Sequence, residues 1–175
     1  MLQQTSPIRY VVRRCWLGAM LVAGSDVGLT AVLLGDDVDA LVRDLRRRFP
    51  EATPADDDAR VARDIDEVAR LVEAPASGSD VPLDPRGTGF EQRVWQALRE
   101  IPGGATATYS EIAARLETPG ASREVGEACA ANLLAVVVPC HRVVRKNGGL
   151  GGYRWGPRRK RALLAREAAA RRQAS

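Results

Sequence analysis

The hydrophobic pattern of this chain changes once along its length, and that change limits the folds open to it. Residues 8–14, 19–25 and 29–34 are short runs rich in apolar and β-branched residues, with a glycine between the last two. Such runs predict three strands, the last two joined as a hairpin. Residues 36–49 and 61–72 instead repeat apolar residues every three or four positions, which predicts two amphipathic helices.

The second half of the chain is predicted to be mainly helical. Thr88 and Glu91, and again Thr108 and Glu111, form Thr-x-x-Glu patterns. In such capping boxes the hydroxyl and the carboxylate satisfy free N–H groups at the start of a helix. A third helix is predicted at residues 121–131, after a glycine-containing turn. The last two of these helices form a possible helix-turn-helix.

Together these patterns predict an α/β protein of the α+β kind with two units. Residues 1–85 are expected to form a small three-stranded antiparallel sheet with helices, followed by a linker. The segment at 50–58, which carries prolines and acids, is predicted to be a loop. Residues 86–175 are expected to form a helical unit whose final helix begins at Pro157, a favourable first position.

The composition excludes several classes of protein. No apolar run approaches the roughly 18 residues of a membrane span, and the N-terminus lacks the basic start and apolar core of a signal peptide. The three cysteines cannot all pair, which favours a reducing cytoplasm over a disulfide framework. One histidine and scattered cysteines supply no zinc-ligand spacing. We therefore expect a cytoplasmic protein with no membrane contact, no metal and no cofactor.

The net charge of +4 is unevenly distributed. Residues 139–175 carry eleven Arg and Lys against one acid, Glu167, for a net charge of +10, whereas residues 1–138 carry −6. A basic segment beside an acidic one favours a phosphate-binding surface, and nucleic acid is the partner it fits. The alternative is a solubilising tail, which we prefer only for the last five residues.

Residues 139–143, Pro-Cys-His-Arg-Val, join a possible nucleophile, Cys140, to the chain's single histidine, His141. The five apolar residues at 134–138 predict a buried strand that ends at the proline. Adjacent residues of an extended chain point to opposite sides, so a water or a local turn must lie between the two side chains if they act together. The alternative is a buried cysteine beside a structural histidine.

Further motifs accompany this one in the order that a single family has them. They are Arg86-Gly87-Thr88-x-Phe90, Val94-Trp95-x-Ala97-Leu98, Ile101-Pro102-x-Gly104, Thr108-Tyr109-x-x-Ile112-Ala113, Arg123-x-Val125, Asn132 and Gly152-Tyr153-Arg154-Trp155-Gly156. With them the chain resembles the O6-alkylguanine-DNA alkyltransferases, clearly over residues 86–167 and more loosely before. The resemblance implies a ribonuclease H-like N-terminal unit and a C-terminal unit like a winged helix-turn-helix.

The chemistry that the resemblance implies is a direct displacement in which the thiol of Cys140 takes the alkyl group from guanine O6. A thiol has a reference pKa of about 8.5 and must become a thiolate first. The family achieves this through a water between the cysteine and His141, with Glu167 orienting the imidazole. The product is a thioether, so each protein molecule acts once. The implied catalytic residues are Cys140, His141, Glu167, Asn132 and Tyr109.

The partner that the resemblance implies is double-stranded DNA carrying O6-alkylguanine, bound by a monomer. The target base is flipped out of the stack, Arg123 fills the gap, and the third helix binds the minor groove. Tyr109 crowds the phosphate backbone and contacts the guanine, while Asn132 ties the third helix to the cysteine segment. The implied DNA-binding residues are Arg123, Tyr109, Ser122, Gly126 and Ala130. The implied pocket residues are Val143, Tyr153, Arg154 and Cys129.

Three residues depart from the family pattern. Glu124 and Glu127 lie on the third helix where the family mostly has small residues, and Gly120 replaces a commonly basic one. Carboxylates that face phosphates oppose binding, although Glu127 is four residues from Arg123 and can pair with it. An alternative function is a non-catalytic binder of alkylated DNA, since alkyltransferase-like proteins share the fold without the cysteine. A transcriptional regulator is a second alternative, for which no second DNA-binding unit is visible.

Overall fold

An antiparallel sheet forms the first part of the structure, as predicted. The computed structural model describes residues 6–55 and 58–175. Strands β1 (Arg9–Cys15), β2 (Gly18–Gly24) and β3 (Leu29–Gly35) pair antiparallel in chain order. Nearly every residue of β2 and β3 is buried, because both faces of the sheet are covered. The three predicted strands are confirmed.

A short fourth strand corrects the prediction of a loop at residues 50–58. β4 (Thr53–Pro54) runs parallel to β1 at the edge of the sheet. The backbone N–H of Thr53 donates to the Ile8 carbonyl at 3.0 Å, and that of Ala55 donates to the Tyr10 carbonyl at 2.9 Å. Proline is tolerated at a sheet edge because it need not donate there. The prolines and acids of the segment predicted a loop, although two of its residues pair with β1.

Two amphipathic helices pack on the sheet, and both were predicted. α1 (Val38–Arg48) contacts β2 and β3, and α2 (Ala59–Glu73) contacts mainly β1. Asp37 and Asp58 cap the two helices, each accepting hydrogen bonds from two backbone N–H groups of the first turn. Such caps typically contribute about 1 kcal/mol each. The apolar stripe of each helix is buried against the sheet.

The helices of the second half begin where the capping boxes predicted. α3 (Gly89–Arg99) follows Thr88 and α4 (Tyr109–Arg115) follows Thr108, and both hydrogen bonds of each capping box are formed. The third predicted helix is α5 (Ser122–Ala131). It packs against both α3 and α4.

The remaining elements surround the Cys-His motif. The two-residue strand β6 (Val143–Val144) directly follows the motif and pairs in parallel with β5 (Ala107–Thr108). A short 3-10 helix, Cys140–Arg142, holds the motif itself. The chain ends in α6 (Pro157–Ala174), which contacts that 3-10 helix.

The two halves share one hydrophobic core. The N–H of Val32 in β3 donates to the Leu133 carbonyl at 2.7 Å, and the N–H of Ala135 donates to the Val32 carbonyl at 3.0 Å. The segment after α5 thus completes the free edge of the sheet. The boundary between residues 85 and 86 stays a prediction, since the core runs across it. Within the described ranges, no helix is long and apolar enough to cross a bilayer.

Candidate active site

The segment that carries Cys140 is buried, but it is not the strand that the sequence predicted. Only Leu134 forms a β-bridge, to Val32. The backbone then turns, with Val136 at a φ of 67° and the Val138 N–H donating back to the Leu134 carbonyl at 2.9 Å. A run of apolar residues indicates that the segment is buried on all sides. To form a strand, the segment also needs a neighbouring strand along its whole length. Here the neighbour is present at one end only.

The side chain of Asn132, at the end of α5, organises this turn. Its Nδ2 donates to the Val138 carbonyl at 3.1 Å and lies 3.3 Å from Sγ of Cys140. Its Oδ1 accepts from the backbone N–H of Leu134 at 2.9 Å. Asn132 is 1% exposed, so water does not compete for these bonds. The predicted tie between the third helix and the cysteine segment is present in the structure.

A buried network joins His141 to Glu167 and Arg142. Nε2 of His141 lies 2.7 Å from Oε1 of Glu167. The Arg142 guanidinium donates to both oxygens of Glu167 at 2.8 to 3.1 Å, and it also donates to the carbonyls of Ile101 and Pro75. Buried charges are tolerated when they are paired and hydrogen-bonded in this way. Glu167 is thus the centre of the network.

The network sets the protonation states at neutral pH. Burial alone would raise the pKa of Glu167, but hydrogen bonds from His141 and Arg142 outweigh it and lower the pKa to about 2. Burial lowers the pKa of His141 below its ordinary value, against the opposing effect of Glu167. The carboxylate is therefore ionised and the imidazole is neutral.

These states assign the imidazole tautomer. An ionised carboxylate can only accept, so the hydrogen of the neutral ring lies on Nε2 and Nδ1 keeps a free lone pair. Nδ1 is buried and has no hydrogen-bond partner among the described residues. A buried basic nitrogen without a partner is suited to take up a proton. His141 therefore has the protonation state of a general base.

The Cys140 thiol is protonated at rest. Burial raises its pKa to about 11, and the hydrogen bond from Asn132 offsets only part of that rise. Cys140 is 4% exposed. The thiolate needed for nucleophilic attack must therefore form when a base removes the proton.

Cys140 opens onto a cavity of about 430 Å³. Most of the predicted DNA-binding and pocket residues line it: Tyr109, Ser122, Gly126, Cys129, Ala130, Tyr153 and Arg154. Val143 does not line this cavity; it is buried in β6 with its carbonyl bonded to Nζ of Lys160. Arg145 and Gly152 line the cavity and were not predicted to do so. The motifs thus converge on one pocket, although neither Val143 nor Arg123 lines it.

A glycine-rich loop, residues 148–152, packs closely against Tyr109. Gly151 has a φ of 77°, and a Cβ built there would lie 2.7 Å from the Tyr109 hydroxyl. Only glycine combines that backbone conformation with so close an approach. The loop and Tyr109 therefore form one side of the cavity.

The side of α5 that faces solvent carries the charged residues. Arg123 and Glu127 are paired at 3.2 Å, with 87% and 64% of their side chains exposed. Glu124 is exposed beside them. Both carboxylates thus lie on the outer side of the helix predicted to bind DNA.

Known proteins resemble this chain over most of its length. The family model for the 6-O-methylguanine DNA methyltransferase DNA binding domain matches residues 89–169. The chain is 48% identical over 161 residues to the bifunctional transcriptional activator/DNA repair enzyme Ada of Escherichia coli, covering 92% of this chain and 46% of Ada. It is 38% identical over 151 residues to a methylated-DNA–protein-cysteine methyltransferase of Mycolicibacterium paratuberculosis, covering 86% and 87% of the two chains. The chain belongs to this methyltransferase family.

A solved structure of the methyltransferase family has the same fold. The O6-methylguanine methyltransferase of Mycobacterium tuberculosis superposes with a TM-score of 0.76 at 36% identity, covering 93% of each chain. The mixed α/β architecture with a small antiparallel sheet is therefore that of the family. The present chain spans about half the length of Ada.

Two buried cations of this methyltransferase fold were missed by sequence reasoning. Arg142 was counted only as surface charge, although it neutralises Glu167. Lys160 of α6 is fully buried, and its Nζ donates to the carbonyls of Val143 and Gly152. A signal for Lys160 was present, because it lies three and seven residues before Leu163 and Glu167 on the same helix face. Arg142 had no such signal.

Within the described part of this methyltransferase chain, no three His, Cys, Asp or Glu side chains lie close enough together to hold a metal ion. The three cysteines described are all free thiols. Cys129 lines the same cavity as Cys140, but burial raises the pKa of its thiol further than that of Cys140. Cys140 is therefore the thiol of the cavity that ionises more readily.

Proposed function

We propose that this protein repairs DNA by transferring the alkyl group of O6-alkylguanine to Sγ of its own Cys140. The observation that carries the proposal is a cysteine that faces a cavity and is followed in the chain by a neutral imidazole held by an ionised carboxylate. A non-catalytic lesion binder has no use for such a thiol and base. The names of the relatives support alkyl transfer over non-catalytic lesion binding.

The proposed reaction begins with the thiol proton. It passes to Nδ1 of His141, directly or through water, while Glu167 stabilises the imidazolium that forms. The thiolate attacks the alkyl carbon; the S–C bond forms as the C–O6 bond breaks, and the electron pair stays on the guanine. Burial raises the pKa of Tyr109, so its hydroxyl stays protonated and can donate to the departing base. The guanine then takes up one proton, which balances the proton lost by the thiol.

The proposed reaction consumes the protein. The thioether on Cys140 has no acyl carbon that water could attack, and no second group in the described site can remove the alkyl chain. The nearby Arg142 guanidinium donates its hydrogen bonds to Glu167 and to backbone carbonyls, so it does not act on the alkylated sulfur. One alkyl group per molecule is therefore expected.

For DNA binding we propose the arrangement that the family resemblance implies. A base inside a duplex must be flipped out before Cys140 can reach O6, and the 430 Å³ cavity beside α5 is the place for it. Arg123 is exposed on α5, where it can enter the gap left in the stack. We propose the minor groove as the bound surface and a winged helix-turn-helix as the finer description of the second half. A ribonuclease H-like first half, a monomeric state and a cytoplasmic location stay predictions.

The decisive experiment is intact-mass analysis after incubation with a duplex that contains O6-methylguanine. We expect the mass to rise once, by roughly 14 Da, with the added group on Cys140. Cys140→Ala should bind the duplex without gaining mass, and Cys129→Ala is the matched control that should react normally. Sustained turnover, or alkylation mapped to Cys15 or Cys129, would contradict the proposal. Binding without any transfer would support the lesion-binder alternative.

A further inference from the structure

The helix α1 carries an unusual concentration of positive charge for its half of the protein. Arg43, Arg46, Arg47 and Arg48 fall within six residues, with one acid, Asp44, among them. All four arginines are exposed. The first 138 residues have a net charge of −6, so this helix is a local exception. A cluster of this kind needs a physical explanation.

Contacts with other elements explain only two of the four, Arg46 and Arg48. Arginines in the last turn of a helix stabilise it by interacting with the negative end of its dipole. Arg46, Arg47 and Arg48 lie in the last turn of α1. Arg46 also stacks over Tyr10 at 5.9 Å, and Arg48 reaches the carbonyl of Arg86. Arg43 makes no ion pair or hydrogen bond within the described residues, and Arg47 pairs only with Asp44, three positions earlier, while 78% of its side chain stays exposed.

A chain of contacts places α1 beside the candidate DNA-binding helix. Arg154 donates to the carbonyl of Ala130 in the last turn of α5 at 3.2 Å. The same guanidinium lies 3.6 Å from the carboxylate of Asp44 in α1. Asp44 in turn lies 3.2 Å from Arg47. Arg47 therefore lies on the flank of α5, next to the Cys140 cavity. Arg43 is four residues earlier in α1 and shares the face of Arg47.

The width of the minor groove compared with that of a helix indicates that DNA phosphates would lie near α1. A helix with its side chains is about 10–12 Å across, whereas the minor groove of B-DNA is about 6 Å wide. A helix at that groove leaves a sugar-phosphate backbone on each side of it. Among the described residues, Arg43 and Arg47 are the two arginines of α1 whose side chains make no hydrogen bond or ion pair outside that helix.

We propose that Arg43 and Arg47 bind the phosphate backbone beside the lesion, forming a second DNA contact on the N-terminal half. The inference rests on the proposed function, because it takes α5 as the helix at the duplex. It assigns α1 a role in affinity and none in alkyl transfer. The contact would also offset part of the repulsion from Glu124 and Glu127.

The test measures affinity for an unmodified duplex as salt rises from about 50 to 200 mM, since each phosphate contact contributes about 0.9 to the slope of log K against log salt. Arg43→Gln with Arg47→Gln should lower the slope by about 1.8 and weaken binding several-fold at low salt. Arg43→Gln alone should lower it by about 0.9, and it removes no hydrogen bond or ion pair among residues 6–55 and 58–175. An unchanged slope in both variants would overturn the proposal.

A matched control removes the same charge from the opposite face of the sheet. Tyr10 contacts α1 and Arg13 contacts Asp66 of α2, and residues three apart on a strand point to opposite faces. Arg13→Gln with Arg63→Gln, both exposed, should leave the slope unchanged. Equal slope changes in the two double variants would reduce the effect to net charge and overturn the proposal.

A second measurement separates this inference from the proposed function. Alkyl transfer from O6-methylguanine as a free base, followed by intact mass, should be the same in wild type and in the α1 variants. If the wild type accepts no alkyl group from any donor, the proposed function fails, while the slopes on unmodified duplex still decide the role of α1. A slower free-base reaction in the α1 variants would mean that these residues act through the site, and it would contradict a pure phosphate contact.

Discussion

At the scale of single residues, we propose that His141 is the base that makes a thiol of pKa about 11 usable at neutral pH. Unaided, such a thiol is ionised in about one molecule in 10⁴ at pH 7. We expect wild-type transfer to be level above neutrality and to fall in acid, as pH drops through the lowered pKa of His141. In His141→Gln the rate should instead rise roughly tenfold per pH unit towards pH 11. Single-turnover rates on pre-bound duplex measure both profiles.

The control for this prediction is duplex affinity, which His141→Gln should leave unchanged because the imidazole is fully buried. A variant with the flat profile of the wild type would show that another group removes the thiol proton. Equal losses in affinity and rate would instead make His141 a structural residue.

At the scale of elements, α5 carries the exposed Arg123 beside two exposed carboxylates, Glu124 and Glu127. The Arg123–Glu127 pair is so exposed that it is expected to contribute only about 0.3–0.5 kcal/mol. That is too little to hold Arg123 in place, so repulsion of phosphates should be the larger effect of Glu127. We expect Glu124→Ala and Glu127→Ala each to tighten duplex binding at low salt, with a gain that shrinks as salt screens the charges. Salt-dependent affinity measurements of the two variants test this expectation.

The same variants have a rate expectation. Neither glutamate contacts Cys140, His141 or Glu167, so single-turnover transfer on pre-bound duplex should change little. If Glu127→Ala alone slowed transfer, the ion pair would be holding Arg123 for base flipping. Unchanged affinity at low salt in both variants would mean that this side of α5 does not face DNA.

At the scale of the whole molecule, Arg159 of α6 connects the two halves. It donates to the Leu17 carbonyl at 2.9 Å and to the Trp155 carbonyl at 3.2 Å, and it pairs with Asp36 at 2.7 Å. Its side chain is 12% exposed. We expect Arg159→Ala to lower the free energy of unfolding by roughly 1–3 kcal/mol, because the two partly buried carbonyls lose their donor. Urea unfolding at neutral pH measures the change.

Its neighbour Arg158 is a matched control. Its side chain is 79% exposed and reaches Asp36 only at 3.7 Å. Arg158→Ala should therefore stay within about 0.5 kcal/mol of the wild type. Equal costs for the two variants would show that the connection between the halves does not depend on the buried guanidinium.

Much of this structure was predictable because its causes are local. Each capping box lies within four residues, so Thr88 and Thr108 mark the starts of α3 and α4 without any tertiary information. Strand and helix periodicities likewise located β1 to β3, α1 and α2. The motif around Cys140 and His141, together with the family resemblance, predicted the pairing with Glu167 that the structure contains.

Tertiary structure alone decided the features that join distant parts of the chain. The turn at Val136 depends on an edge of the sheet a hundred residues away, so an apolar run could not distinguish it from a strand. Arg142 is buried because carbonyls of Ile101 and Pro75 meet it there, 41 and 67 residues earlier in the chain. The tautomer of His141 and the raised pKa of Cys140 follow from the same packing. Local patterns select an element, but burial and charge depend on neighbours that only folding brings together.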